Sequence, residues 1–144
     1  MILRKPLPEE MPAILEQTVS IFAEQEIPAE ILDFRPGQNP VWYAGYEDGE
    51  LVGAIATFEE DGETHLGRFT VGHKFQGRHM GTEIMLYAIE QAFASGVEKL
   101  VGDARDASIH ILCRHGGRTT GEPRPFYIGN ATTFELCKKD YHRD

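Results

Sequence analysis

A chain of 144 residues is long enough to bury a hydrophobic core as one domain, residues 1–144. Hydrophobic residues make up 41% of it and charged residues 26%, close to the usual globular composition, so disordered and fibrous classes are excluded. The 23 acidic and 14 basic side chains give a formal net charge of -9, which argues against nucleic acid and an anionic membrane surface as partners. The two cysteines, Cys113 and Cys137, exclude a disulfide framework and a four-cysteine zinc site.

The N-terminal segment, MILRKPLPEE, carries no apolar run of the length that a signal peptide needs. No stretch of the chain is apolar enough to cross a bilayer. His110 and Cys113 stand three residues apart on a predicted helix, but no third ligand at motif spacing accompanies them. We therefore expect a cytoplasmic protein that uses no metal.

The first half of the chain is predicted to contain a strand, two helical pieces and a three-stranded meander. Ile2 to Lys5 suits a short strand, and apolar residues at helical spacing predict a helix from about Glu9 to Gln25. A shorter helical piece follows Pro28, and the prolines and glycine of Arg35 to Pro40 predict a loop. The meander strands are Val41–Tyr46, Leu51–Phe58 and His65–Val71, with turns at Asp48-Gly49 and at Glu59 to Gly62.

The second half is predicted to contain a polar loop, two helices and three strands. Phe75 to Gly81 form the loop, and the helix after it carries an apolar stripe and ends at Gly96. The remaining elements are a strand over Val97–Gly102, a helix over Ala107–His115, and strands over Arg118–Tyr127 and Thr132–Lys138. This order indicates a mixed α/β domain and not a simple doubly wound sheet.

The loop FQGRHMG joins a predicted strand directly to a predicted helix. Glycine lets backbone N–H groups turn toward a ligand, a helix N-terminus adds partial positive charge, and Arg78 adds a full charge. These features suit a pyrophosphate group. The alternative is an ordinary strand-to-helix turn that happens to contain two glycines. The loop matches neither the Walker pattern nor the dinucleotide-binding fingerprint.

One segment resembles the acyl-CoA loop of the GNAT superfamily of N-acyltransferases: it consists of Val71, four further residues and then QGRHMG. The pattern of that family is Val, four residues, then Gln/Arg-x-x-Gly-x-Gly/Ala. Gln76 and Gly81 match it, whereas His79 stands where the first motif glycine is expected. The segment from Asp103 to Pro123 also resembles the last helix and following strand of the family.

The resemblance extends over most of the chain, because the order of predicted elements is similar to that of the GNAT fold. It implies an α/β fold in which a central, mostly antiparallel sheet is flanked by about four helices. Two positions depart from the family pattern near Gly116. The usual tyrosine four residues before this glycine is Leu112, and the usual phenylalanine after it is Gly117.

The resemblance implies that acetyl-CoA, or a related acyl-CoA, is the cosubstrate. The backbone of Phe69, Thr70 and Val71 would pair with the pantetheine arm like an added strand, and the Val71 amide would polarise the thioester carbonyl. Backbone amides of the loop, with the Arg78 side chain, would hold the pyrophosphate. The loop residues implied in CoA binding are Gln76, Gly77, Arg78, His79, Met80, Gly81 and Thr82.

Acyl transfer to an amine needs a base for the ammonium group and a proton for the leaving thiolate. In several GNAT enzymes a Glu or His at the spacing of His65, six residues before Val71, is the base. Strand alternation is expected to put His65, Gly67, Phe69 and Val71 on one face of the sheet. The alternative is an exposed histidine just after a turn. Asp103, at the end of the next predicted strand, is the second candidate base, with a helix cap as its alternative role.

The sequence indicates no single proton donor for the leaving thiolate. Leu112 cannot donate a proton, and Cys113 is expected to pack in the core like most helix cysteines. Tyr127 could replace the usual tyrosine from the next strand. Solvent could also serve, because a thiolate with a pKa near about 8.5 leaves readily.

The predicted function is acetyl or acyl transfer from acyl-CoA to the amine of a small molecule or peptide, with a homodimer left open. The acidic surface mildly favours a cationic acceptor. Two alternatives stay open: a CoA-binding or sensing module with little or no catalysis, and an unrelated α/β interaction domain. The acceptor pocket is expected from Pro28 to Pro40 and the strand ends, which carry no diagnostic motif.

Overall fold

The computed structural model describes residues 1–144 and contains eight strands and three α-helices. The strands are β1 (Ile2–Arg4), β2 (Val41–Glu47), β3 (Glu50–Glu60), β4 (Glu63–Val71), β5 (Lys99–Ala104), β6 (Arg118–Thr119), β7 (Arg124–Pro125) and β8 (Asn130–Cys137). The helices are α1 (Met11–Ala23), α2 (Met80–Ala94) and α3 (Asp106–Arg114). None of them combines the length and the apolar character that a membrane span requires.

The strands form a mixed, mostly antiparallel sheet, as predicted. Their order is β1-β2-β3-β4-β5-β8-β6, and β7 pairs with the start of β8. Only β4 and β5 run parallel to each other. The predicted hairpin turns are also confirmed, since Asp48 and Gly49 have φ angles of 50° and 79° and Asp61 and Gly62 have 53° and 76°. Positive φ at both central residues matches the right-handed twist of the flanking strands.

The sheet opens between its two parallel strands. β4 and β5 are paired only through Thr64 with Leu100 and His65 with Val101. Beyond these pairs, the second half of β4 remains bonded to β3 but no longer to β5. The edge of β4 that faces β5 is therefore unpaired from about Gly67 onward, and a gap opens in the middle of the sheet.

Helices α1 and α2 cover opposite faces of the sheet. Ala54 of β3 packs with Ile14 of α1, whereas its neighbour Ile55 joins the larger core built on α2. Successive residues of a strand point to opposite faces, so the two helices lie on opposite sides. The predicted apolar stripe of α2 is confirmed, because Ile84 and Ile89 are fully buried against the sheet.

A β-bulge in β4 contradicts the predicted alternation of its side chains. Ala56 and Ala54 of β3 lie opposite Gly67 and Thr70, so three steps along β4 match two along β3. The extra residue lies at Arg68, whose φ is 59°. A bulge shifts the two-residue period by one.

His65 and Val71 are therefore not on one face, as alternation alone predicted. His65 lies opposite Phe58 and shares the α1 side with Gly67. Val71 lies opposite Gly53 and, with Phe69, faces α2. The imidazole thus stands on the other side of the sheet from the Val71 side chain.

Two further expectations need correction. The fold has three α-helices rather than about four, because the piece after Pro28 is only a 3-10 turn over Ala29–Leu32. The predicted strand Arg118–Tyr127 is broken into β6 and β7, which pair separately with β8. Gly121 and Pro123 lie in the break, and proline has no N–H to donate to a ladder.

Candidate active site

A cavity of about 340 Å³ occupies the gap between β4 and β5. It reaches both faces of the sheet, since Met85 of α2 and His65 of the opposite face both line it. The segment after α1 closes it on one side through Leu32 and Gln38, and Phe126 of the β7–β8 turn closes it on another. The predicted acceptor region, Pro28 to Pro40, therefore contributes to this cavity.

His65 lies inside the cavity and is half-buried. Its imidazole stacks on the Phe58 ring with a centroid distance of 5.3 Å and an interplanar angle of 23°. Its backbone lies where β4 and β5 are still paired. The ring is thus held at the base of the gap, where an imidazole can exchange a proton with a bound amine.

Asp103 also lines the cavity, but its carboxylate is engaged. Arg124 of β7 donates a hydrogen bond to Asp103 Oδ1 at 2.8 Å, and both side chains are about half exposed. The alternative role of helix cap does not apply, because Arg105 occupies the N-cap position of α3 and makes no side-chain cap bond. Asp103 therefore ties β7 to β5 across the edge of the cavity.

The loop between β4 and α2 presents a row of free donors. No backbone N–H from Gly77 to Thr82 has an acceptor within the protein, and the first amide of α2 to find one is that of Glu83, which donates to the His79 carbonyl. Unpaired amides at a helix N-terminus, with the partial positive charge of the helix dipole, form an anion-binding site. The seven predicted residues from Gln76 to Thr82 lie together in this loop and the first turn of α2, and none of them lines the cavity.

Val71 connects this donor row to the open edge of β4. The amide of the next residue, Gly72, donates to Val52 of β3 at 2.7 Å, so the N–H and C=O of Val71 face away from β3. The Gln76 side-chain amide donates to the Val71 carbonyl at 2.9 Å. Gln76 therefore fixes the loop to the strand through its side chain, while the Val71 N–H points into the gap.

Arg78 gives the loop a positively charged side chain, and His79 has a strained backbone conformation. Arg78 is exposed, lies 5.8 Å from the Phe75 ring centroid and has no carboxylate partner. His79 is the N-cap of α2 and has φ 61° and ψ 9°. This left-handed conformation explains in physical terms why the family pattern has glycine at the position of His79.

Gly81 serves the packing of α2 against β4. A Cβ atom at this position would come within 2.7 Å of Val71 Cγ2 and 3.0 Å of Phe69 Cζ. Both distances are shorter than an ordinary van der Waals contact. The motif glycine therefore allows close approach of the helix to the strand.

The cavity offers few donors for a leaving thiolate. Leu112 is 1% exposed and lines the cavity at the position where the family has tyrosine. Tyr127 is 49% exposed and lies outside the lining, and Cys113 is exposed and not packed in the core as expected. No tyrosine or cysteine lines the cavity, and no cluster of His, Cys, Asp and Glu could hold a metal ion.

Sequence reasoning missed the arginines of the cavity. Arg68 occupies the bulge of β4, and its guanidinium carbon lies 4.8 Å from the Phe34 ring centroid and 5.0 Å from that of Phe58. Arg105 donates to the carbonyl oxygens of Phe126 and Ile128. No glycine or asparagine marks the left-handed residue at the bulge, so no sequence signal indicated it.

Comparisons with known proteins agree with this geometry. A sequence model of the acetyltransferase (GNAT) family matches residues 9–116. Among solved structures, Escherichia coli ElaA superposes with a TM-score of 0.80 at 15% identity, over 94% of this chain and 99% of that one. An acyl-CoA N-acyltransferase from Pseudomonas aeruginosa gives 0.78 at 16% identity, over 94% and 97%.

A spermidine N-acetyltransferase from Vibrio cholerae, solved in complex with CoA and spermine, superposes with a TM-score of 0.74 at 13% identity, over 97% of this chain and 96% of that one. At these identities the superpositions establish the fold. No curated protein matches the chain. The fold combines a mixed sheet that opens between β4 and β5 with a loop of unpaired amides from Gly77 to Thr82, the donor loop. Since the family model matches well over half of the sequence, the chain belongs to the GNAT family of acetyltransferases.

Proposed function

We propose that residues 1–144 act as one domain that transfers an acetyl or other acyl group from acyl-CoA to the amine of a small molecule or peptide. The row of unpaired amides from Gly77 to Thr82, directly beside the open edge of β4, carries this proposal. Such a row suits a pyrophosphate, and an unpaired strand edge suits an amide-containing arm. The superposed spermidine N-acetyltransferase, with CoA and spermine bound, supports the same ligand class.

In this proposal each part of CoA meets a group that the fold leaves free. The loop amides and the Arg78 guanidinium receive the pyrophosphate. The backbone of Phe69, Thr70 and Val71, which β5 no longer pairs, receives the two amides of the pantetheine arm. The thioester then lies in the gap, and the Val71 N–H is free to donate to its carbonyl oxygen.

The reaction is a direct displacement at the thioester carbonyl. Because His65 lies six residues before Val71 on β4, it accepts the proton of the ammonium group through bridging water, and the free amine attacks the carbonyl carbon. The Val71 N–H stabilises the oxyanion that develops, and the C–S bond breaks as the amide forms. Solvent supplies the proton to the thiolate, because no tyrosine or cysteine lines the cavity.

One observation favours a second function, a CoA-binding or sensing module with little or no catalysis. Leu112 stands where the family has its tyrosine and fills that part of the cavity with hydrocarbon. The two functions share the CoA site and differ only in turnover. Release of free thiol above the rate without acceptor separates them.

Calorimetric titration with CoA tests the binding half of the proposal. We expect Arg78→Ala to weaken CoA binding by about three- to tenfold, because one charge-assisted contact to phosphate is lost. Arg118→Ala, an exposed arginine at the far edge of the sheet, is the matched control and should bind like the wild type. The wild-type chain failing to bind CoA would overturn the proposal.

A further inference from the structure

The cavity has a charge balance opposite to that of the whole chain. The lining includes four arginines and three carboxylates, whereas the chain carries a net charge of -9. The arginines are Arg35, Arg68, Arg105 and Arg124, and the carboxylates are Asp33, Glu60 and Asp103. An excess of guanidinium groups inside an acidic protein requires an explanation.

Two of these arginines already have carboxylate partners. Arg35 bonds to Glu60, which also accepts from the Gln38 side chain at 3.2 Å. Arg124 bonds to Asp103 at 2.8 Å. These pairs account for two of the three carboxylates, and the third, Asp33, is exposed and makes no ion pair.

Arg68 is held in place but is not neutralised. Its Nε donates to the Leu32 carbonyl at 3.2 Å and its Nη2 to that of Ile31 at 3.5 Å, and no carboxylate lies within salt-bridge distance. A guanidinium has five N–H donors, so three remain available. The Phe34 and Phe58 rings pack against it and fix its plane.

The surroundings of Arg68 favour an anionic ligand. Burial lowers the pKa of the Arg68 guanidinium from its ordinary value, an effect that Glu60 opposes and Arg35 strengthens. Arginine nevertheless stays charged in proteins, so its partial desolvation is a cost that an arriving anion offsets. The positive φ of 59° at this bulge is a second local cost, of the kind that persists at ligand-binding positions.

From these observations we propose that the acceptor amine also carries an anionic group, in the first place a carboxylate, which Arg68 binds. This inference rests on the proposed acyl transfer and specifies its substrate class as an amino acid or a peptide, not a polyamine. The planar guanidinium fork matches a carboxylate with two parallel hydrogen bonds. A phosphate ester of an amino alcohol shares this chemistry, and the test separates the two.

The position of the base agrees with such a two-headed acceptor. His65 and Arg68 both lie against the Phe58 ring, with the imidazole centroid at 5.3 Å and the guanidinium carbon at 5.0 Å from the ring centroid. The proposed base and the proposed anion-binding group therefore contact the same Phe58 ring. A polycation would instead meet the unneutralised charge of Arg68, with Asp33 as the only cavity carboxylate outside an ion pair.

The first test measures binding and needs no turnover. The CoA-saturated protein is titrated with N-acetyl amino acids, with the matching N-acetyl carboxamides, and with an N-acetyl amino-alcohol phosphate. We expect the best carboxylate to bind at least tenfold more tightly than its carboxamide. We expect Arg68→Ala to abolish that preference while CoA affinity is unchanged. Arg68→Lys keeps the charge and should retain part of the preference.

Arg118→Ala is the matched control, because it removes an exposed arginine of β6 that lies outside the cavity lining. It should keep the carboxylate preference. Equal binding of carboxylates and carboxamides, or a preference that survives Arg68→Ala, would overturn the inference. Tighter binding of the phosphate than of any carboxylate would replace the carboxylate by a phosphate ester.

The second test follows acetyl transfer to free amino acids, their carboxamides and spermine. We expect kcat/KM to favour the amino acid, and Arg68→Ala to raise its KM at least tenfold while the carboxamide changes less than twofold. If no amine is acetylated but carboxylates still bind through Arg68, the proposed acyl transfer fails and the anion site stands. If spermine is the best acceptor, acyl transfer stands and the anion site fails.

Discussion

His65 lies at the base of the gap between β4 and β5, with its imidazole stacked on Phe58 and open to the cavity. We expect His65→Ala to lower turnover on an amine acceptor by about a hundredfold or more, since a positioned base contributes about 10²–10⁴-fold. CoA affinity should not change, because the donor loop lies at the other end of β4. Steady-state kinetics and calorimetry measure the two effects.

Two variants make this prediction decisive. His110→Ala removes an exposed histidine of α3 and should behave like the wild type. Asp103→Asn tests the second candidate base and should keep turnover within about threefold, because Asp103 is bonded to Arg124. Activity of His65→Ala within twofold of the wild type, with an unaltered pH–rate profile, would exclude His65 and leave Asp103 or ordered water as the base.

His79 is a histidine in a left-handed conformation, with φ 61°. We expect His79→Gly to change the unfolding free energy by less than about 1 kcal/mol, because relief of this strain offsets the greater freedom of glycine in the unfolded chain. CoA affinity should hold or improve, since the free amides of the loop remain. A tenfold loss of CoA affinity, about 1.4 kcal/mol by calorimetry, would show that the imidazole itself contacts the ligand.

For single residues, motif spacing predicted the loop that carries the free amides but not the side-chain contacts made across the fold. Spacing pointed to the donor loop, because glycine requirements and a helix N-terminus leave local sequence signals. It could not indicate the bond from Gln76 to the Val71 carbonyl or the partner of Asp103. Arg68 was missed because its importance comes from long-range packing against Phe34 and Phe58.

At the scale of elements, the approach of α2 to β4 depends on Gly81. A Cβ at this position would lie 2.7 Å from Val71 Cγ2 and 3.0 Å from Phe69 Cζ, so these side chains or the helix would have to shift. We expect Gly81→Ala to lower the unfolding free energy by about 1–3 kcal/mol, as overpacking does elsewhere. Chemical denaturation measures this loss directly.

The matched control is Gly67→Ala on the same strand. A Cβ there would meet Phe58 Cε1 at 3.5 Å, an ordinary contact, and the φ of Gly67 is not positive. Its effect on stability should be below about 1 kcal/mol. Equal stability of the Gly81→Ala variant and the wild type would mean that α2 can shift away from β4, and that the glycine is needed for another reason.

Strong local patterns predicted the regular elements well, and irregular ones poorly. The apolar stripe of α2 and the Asp-Gly turns are short-range signals, and both are confirmed. The bulge in β4 leaves no such signal, so the predicted common face of His65 and Val71 is wrong. The separation of β4 from β5 is a property of strand pairing and not of either strand alone.

At the scale of the whole molecule, the net charge of the chain and the charge inside the cavity predict acceptors of different charge. The charge of -9 favours a cationic acceptor by long-range attraction. The cavity holds four arginines, of which Arg68 and Arg105 have no carboxylate partner, and Arg68 also lies against two aromatic rings, so the cavity favours an anionic group. Long-range attraction is screened beyond about 10 Å at ordinary salt, so contacts inside the cavity should decide the acceptor.

The central claim is that the chain acylates an amine at the expense of acyl-CoA. The most direct measurement incubates the wild-type protein with acetyl-CoA and a panel of amino acids, peptides and polyamines. Thiol release and the mass of each acceptor are followed together. We predict that at least one acceptor gains an acetyl group in step with thiol release. Thiol release no faster than without acceptor across the whole panel, with CoA binding intact, would contradict the claim and leave a CoA-binding module.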